Sequence, residues 1–189
     1  MEVCSIILSA GKGSRMFSDI PKPLHLISGK TMLERVIDAN KSANIKKCII
    51  VIPENCEAFK GICHDFETVV QKVPKGTGDA VKKASNLLKK FTGVILVCFG
   101  DTPFLTSETF KRMINAFDNK TKLVITGFKK FEKNNYGKII FSKTNEPIEI
   151  IEQKDAEVRN IHSEFCNGGV MAIHSSIINQ LNKIQENLI

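Results

Sequence analysis

Between Ser9 and Lys30 the chain reads SAGKGSRMFSDIPKPLHLISGK, a glycine-rich turn running directly into Arg15, Lys22 and Lys30. Glycines at 11 and 13 let backbone N–H groups approach an oxyanion closely, since no Cβ intervenes and positive φ is permitted. Arg15 and Lys22 add two cations held among glycines and prolines, the surroundings of a shaped loop. This is what a stretch needs if it is to neutralise a polyphosphate under attack. A Walker A loop would require a glycine where Ile6 stands and Ser or Thr where Gly13 stands. A dinucleotide fingerprint would require a small residue in place of Met16. Both are excluded.

Asp101 is the second candidate for chemistry. It follows the apolar run Val94 to Phe99, and a carboxylate at the carboxyl end of a buried strand faces the ligand crevice of an open α/β sheet, where it can hold a hard cation. Opening the Asp101-Thr102-Pro103 turn is an equally ordinary use of Asp, and on these residues alone the two uses stand level.

The elements that must position these groups are legible from periodicity. Runs rich in Val and Ile at Val3 to Ser9, Lys47 to Ile52, Thr68 to Lys72, Val94 to Phe99 and Leu123 to Phe128 have the length and branching of buried strands. Between them run helical stripes: Met32, Leu33, Val36 and Ile37; Ala80, Val81, Ala84, Leu87, Leu88 and Phe91; Phe110, Met113, Ile114 and Phe117. The alternation predicts an α/β, Rossmann-like fold with a mostly parallel central sheet wrapped by helices. Tyr136 to Phe141 and Pro147 to Gln153 read as a small β hairpin insertion turning through Lys143 to Glu146, Phe165 to Ile173 as a further strand, and Ile177, Ile178, Leu181 and Ile184 as a last amphipathic helix. The 189 residues suit a single domain spanning 1–189.

Composition narrows the partners only broadly. The net charge of +7, with 42% hydrophobic and 25% charged residues, describes a globular protein inclined toward anions. No aromatic platform accompanies the lysine pairs, so nucleic acid is not expected as a partner. No apolar run approaches the roughly 20 residues that span a bilayer, and Glu2 with the early break at Gly11 does not suit a signal peptide; a cytoplasmic protein without membrane association is expected. Of the six cysteines, Cys4, Cys48 and Cys98 lie in strand-like apolar runs as small hydrophobes, and Cys56, Cys63 and His64 match no zinc spacing. Reduced thiols are expected. The oligomeric state stays open.

Gly11-Lys12-Gly13-Ser14-Arg15 and Pro21-Lys22-Pro23 resemble the G-x-G-[ST]-R … P-K signature of sugar-phosphate nucleotidyltransferases. The resemblance continues through Leu24-His25-Leu26, Gly29-Lys30, Val36-Ile37-Asp38-Ala39, Gln71, Gly76-Thr77-Gly78-Asp79-Ala80-Val81, Gly100-Asp101-Thr102-Pro103, Tyr136-Gly137-Lys138-Ile139 and Ile151-Glu152-Gln153-Lys154-Asp155-Ala156. In this order, over nearly the whole chain, the segments are similar to the uridylyltransferase domain of bifunctional N-acetylglucosamine-1-phosphate uridyltransferase / glucosamine-1-phosphate acetyltransferase. The resemblance implies a nucleotide-diphospho-sugar transferase fold. It also implies a Mg²⁺-dependent enzyme that joins UTP and N-acetylglucosamine 1-phosphate into UDP-N-acetylglucosamine, a peptidoglycan precursor, and pyrophosphate.

By the same resemblance Arg15 and Lys22 are catalytic; Ala10, Gly11, Lys12, Gly13, Gln71, Gly76 and Thr77 bind the nucleotide; Gly137, Glu152 and Asn167 bind the sugar; and Asp101 is moved from a turn to a metal ligand. Three departures stand out. Asn167-Gly168-Gly169 replaces Asn-Thr-Gly, Phe99 replaces a tyrosine, and Ile189 precedes the family's second metal ligand and its β-helix acetyltransferase domain, both expected to be missing here. The rival readings are transfer to another sugar phosphate or to molybdopterin on the same loop, and nucleotide binding without turnover.

Overall fold

The computed structural model describes residues 1–189 except 12, 14, 15, 56, 133 and 184–189 and the side chain of 182. In chain order the strands are β1 Glu2–Leu8, β2 Leu26–Ile27, β3 Lys30–Thr31, β4 Lys47–Pro53, β5 Glu67–Gln71, β6 Gly93–Phe99, β7 Leu123–Lys129, β8 Lys138–Phe141, β9 Pro147–Ile151 and β10 Phe165–His174. The helices are α1 Met32–Ser42, α2 Lys60–Cys63, α3 Thr77–Ser85, α4 Ser107–Asn115 and α5 Gln153–Val158, with 3₁₀ turns at Lys22–Leu24, Glu57–Phe59, Asn86–Leu88 and Ser175–Lys183.

Two compact units share the chain. The first, residues 1–124 and 171–189, holds the parallel strands in the order β5-β4-β1-β6, and the last four residues of β10, Met171 to His174, run antiparallel to β6. β1 and β6 are buried along most of their length, which is why both read as continuous apolar runs rather than alternating ones. Cys4, Ile6 and Leu8 of β1 and Ile95 and Val97 of β6 share one apolar cluster with Ala80, Val81 and Ala84 of α3. Elsewhere in this unit α1 packs on α4, each burying a stripe: Leu33, Val36 and Ile37 on α1, Phe110 and Met113 on α4.

In the second unit, residues 125–170, β8 and β9 form the expected antiparallel hairpin, closed by Ser142 N–H to Glu146 O (2.8 Å) and Asn145 N–H to Ser142 O (3.0 Å). β8 in turn pairs with the first part of β10 at Cys166 and Lys138. The predicted second arm of the hairpin is two residues too long: Glu152 is the N-cap of α5 and Gln153 its first residue. That short helix lacks the apolar period that would announce it. The terminal segment is also corrected. Ile177, Ile178 and Leu181 lie on a 3₁₀ helix rather than an α-helix, and three residues per turn set Ile178 and Leu181 in line, both against the core cluster; Ile184 lies outside the described residues.

Cys4, Cys48, Cys98 and Cys166 are free and buried, and Cys63 is buried as well. Burial pushes the Cys4 and Cys98 thiols up to about 12 and Cys48 up to about 11, so these three pack as protonated thiols; Cys56 lies outside the described residues. Among the described residues no helix is long and apolar enough to cross a membrane.

A capping box starts α1. Thr31 Oγ1 accepts from Glu34 N–H (3.1 Å) while Glu34 Oε2 accepts from Thr31 N–H (2.8 Å) and Thr31 O–H (2.7 Å). The Thr31 hydroxyl and N–H hold the Glu34 carboxyl below its usual range. Thr31→Ala is therefore expected to lower stability by about 1 kcal/mol in urea unfolding at neutral pH. A depressed folded-state pKa contributes stability that is present above the unfolded value and lost as pH falls through the folded one. The gap between wild type and Thr31→Ala should accordingly narrow in acid.

Candidate functional site

The first unit assembles the glycine loop, Lys22 and Asp101 at the carboxyl ends of β1 and β6. Ser9 N–H bonds Val51 O (2.8 Å) and Gly100 N–H bonds Leu8 O (2.9 Å), so the chain leaves each strand still tied to its neighbour. Ala10 is buried and Gly11 has open space where a side chain would stand. Gly13 has φ +59° and a Cβ there would stand 2.9 Å from Lys22 Cβ. Glycine at 13 is thus needed twice, for its conformation and for the approach of Lys22. Lys12 and Arg15, with Ser14 between them, lie outside the described residues.

Lys22 opens a 3₁₀ turn set by Pro21 and Pro23, and its Nζ stands 2.7 Å from Asp101 Oδ2, with the two side chains 38% and 29% exposed. The turn after β6 is closed by Thr102, whose hydroxyl donates to Phe99 O (2.6 Å), and by Leu105 N–H to Thr102 O (3.2 Å). The Asp101 carboxylate therefore addresses Lys22 while other groups hold the turn. Gly100 allows this crossing. A Cβ at 100 would stand 2.2 Å from Ser9 Oγ and 3.3 Å from Leu33 Cδ1, and Ser9 is 1% exposed with no room to yield. Gly100→Ala is expected to cost about 1–3 kcal/mol by overpacking, read from urea unfolding, and to loosen the base of the glycine loop.

Gln71 ends β5, is 4% exposed, and donates from Nε2 to Asp79 Oδ2 (2.8 Å) and Gly76 O (3.3 Å). Gly76, at φ +96°, is the N-cap of α3, and Thr77 is its first residue, on the surface. The structure thus joins Gln71 to the Gly76 loop.

In the second unit the three sugar candidates converge. Asn167 N–H donates to Gly137 O (2.8 Å), Glu152 Oε1 stands 3.7 Å from where a Gly137 Cβ would be, and Asn167 Oδ1 accepts from Gly169 N–H (2.9 Å). Gly168 has a physical reason. A Cβ there would stand 2.5 Å from Thr126 Oγ1, and that hydroxyl is fixed on β7 by donating to Val170 O (3.1 Å) and accepting from Val170 N–H (3.2 Å). A hydroxyl absent at position 168 is present beside it from Thr126.

A family model described as MobA-like NTP transferase domain matches residues 5–175. The chain belongs to this family. As a MobA-like NTP transferase domain it is a nucleotidyltransferase, and the resemblance read from its motifs is borne out. Bifunctional protein GlmU of Ruegeria sp. (strain TM1040) is 37% identical over 183 residues, 94% of this chain and 40% of that relative. Bifunctional protein GlmU of Streptococcus pyogenes serotype M3 (strain MGAS315) is 41% identical over 154 residues, 80% of this chain and 34% of its own. The chain thus spans about two fifths of the length of the curated relatives it matches. The fold is also that of a solved UDP-glucose pyrophosphorylase complexed with UDP-glucose, with a TM-score of 0.77 at 19% identity over 98% of this chain and 81% of that one. The expected fold class holds.

Two residues escaped the sequence reading. Asp79 sits inside a quoted motif without a role, because an acidic residue in a first helical turn is ordinary, and only the fold shows it holding Gln71. Thr126, inside a strand, gives no sequence signal at all.

Proposed function

We propose that this nucleotidyltransferase transfers the uridylyl group of UTP to N-acetylglucosamine 1-phosphate with Mg²⁺, giving UDP-N-acetylglucosamine and pyrophosphate, as one domain acting in the cytoplasm. The observation that carries it is the meeting of Lys22 with Asp101 beside the glycine loop, two motif residues far apart in the chain. Identity to the GlmU relatives over most of this chain supports the choice of substrates.

The sugar phosphate oxygen attacks the α-phosphorus of UTP and pyrophosphate leaves, so positioning and charge neutralisation do most of the catalysis. Backbone N–H groups around Ala10, Gly11 and Gly13, together with Lys12 and Arg15, hold the triphosphate. Lys22 exchanges Asp101 for the phosphates as the partner of its ammonium. Gln71, Gly76 and Thr77 hold the base, and Gly137, Glu152 and Asn167 hold the sugar hydroxyls and N-acetyl group. A partly exposed carboxylate at a strand end suits a hard cation, and no set of three His, Cys, Asp or Glu is grouped for a metal among the described residues. Asp101 would therefore share Mg²⁺ with phosphate oxygens and water. Bound there, the cation supplies neutralisation of charge on the phosphoryl oxygens.

The test is pyrophosphate release with Mg²⁺ across a panel of nucleoside triphosphates and sugar phosphates, alongside binding of UTP. Selective release with UTP and N-acetylglucosamine 1-phosphate is expected. Release with another pair would reassign the substrates within the family, and UTP binding without release from any pair would mark a nucleotide-binding protein without turnover.

A further inference from the structure

We infer that Asp79 determines which bases this protein accepts, by fixing the face that Gln71 presents. The inference rests on the proposed nucleotide site and adds to it a specificity-determining residue and a base class. A carboxylate and a peptide carbonyl only accept hydrogen bonds. With Asp79 Oδ2 at 2.8 Å and Gly76 O at 3.3 Å from the same terminal nitrogen of Gln71, that nitrogen must be the amide NH₂, and both its hydrogens are spent inside the protein. Gln71 is 4% exposed, too enclosed to turn without breaking both bonds. Lys83 Nζ, 3.8 Å from Asp79 Oδ1, and the first turn of α3 hold the carboxylate in place.

The edge of Gln71 left for a ligand among the described residues is Oε1, an acceptor. A free glutamine amide is ambivalent, since it can offer donor or acceptor and so match either kind of base edge. Locked by Asp79, it accepts only. Uracil N3–H and guanine N1–H meet it with a donor, whereas cytosine N3 and adenine N1 meet it lone pair to lone pair. A buried polar group set against the wrong partner rejects strongly. The site therefore takes nucleoside triphosphates whose ring carries an imino N–H and disfavours CTP and ATP.

The test is equilibrium binding of UTP and CTP with Mg²⁺ to the full chain by titration calorimetry, for wild type, Asp79→Asn and Asp79→Ala, with circular dichroism as the check of folding. Asparagine at 79 can donate to Gln71 Oε1 and let the amide turn its NH₂ toward the base; alanine leaves only the longer 3.3 Å bond to Gly76 O to hold it. Wild type should prefer UTP, and both variants should shrink the UTP-to-CTP affinity ratio by about tenfold or more. A structural staple alone would weaken both nucleotides in proportion and leave the ratio unchanged, which overturns the inference; so does a wild type indifferent to UTP and CTP. Failure of wild type to bind any nucleoside triphosphate is a different result, since it removes the proposed function and the inference with it. If neither variant folds, wild type still decides by NMR. The Gln71 NH₂ protons should exchange slowly both before and after UTP is added, and an amide that loses protection on binding would show that no lock exists.

Discussion

Asp101→Asn should abolish most turnover, with kcat falling by about 10²–10³-fold, while the thermal midpoint moves little. The substitution keeps the shape and removes the charge. The pair it breaks is partly exposed on both sides, 38% at Lys22 and 29% at Asp101, and an ion pair so open to water is worth about 1 kcal/mol or less to stability. A large kinetic loss with a small stability loss therefore separates a chemical role from a scaffolding one. The neutral amide oxygen remains a weak ligand for a hard cation, so the surviving activity should require more Mg²⁺ than wild type, measured as pyrophosphate release against metal concentration. Turnover within twofold of wild type would remove Asp101 from the site.

Lys22→Ala should lower kcat/KM by a similar factor of about 10²–10³, the loss falling mainly on kcat because charge on the transferring phosphoryl group grows toward the transition state. Lys22→Arg should not restore it: a planar guanidinium is wider than the point-like ammonium that the Gly13 and Pro21–Pro23 contacts place on Asp101. Because the two side chains touch, Lys22→Ala combined with Asp101→Asn should cost much less than the two single losses multiplied together. A Lys22→Ala enzyme with unchanged kcat and a raised KM would mean that the lysine only binds the nucleotide.

The β1 and β6 strands and the α1 and α4 stripes were readable because each is a run in one period, with Leu33, Val36 and Ile37 buried on α1 and Phe110 and Met113 on α4. The α3 stripe was read too long, since the helix ends at Ser85 and Leu87 is 46% exposed. What escaped was short or non-local. α5 has six residues, too few for a period, and Ile178 and Leu181 are spaced as well for a 3₁₀ turn as for an α-helix. The glycine loop announced itself by composition, and Asp101 by its place after a strand. That its carboxylate meets Lys22 instead of capping its own turn could not be read from the chain, since the two approach only when β1 and β6 lie side by side. The reason for Gly100 is hidden in the same way: its neighbour Ser9 comes from the other strand.

β10 gives its first six residues to the second unit and its last four to the first, and this bears on how the protein is made. As the chain leaves the ribosome, Glu2 to Phe99 can pair β1 with β4 and β6, but one edge of β6, at Val94 to Val97, waits for Met171 to His174. Until then a buried-type strand shows water an open row of N–H and C=O groups, the kind of surface on which nascent chains stick to one another. Everything from the end of α4 through the second unit must emerge before that edge is covered. Synthesis thus passes through a vulnerable interval whose length is set by the intervening segment, and a stop placed anywhere inside it would release a chain prone to aggregate.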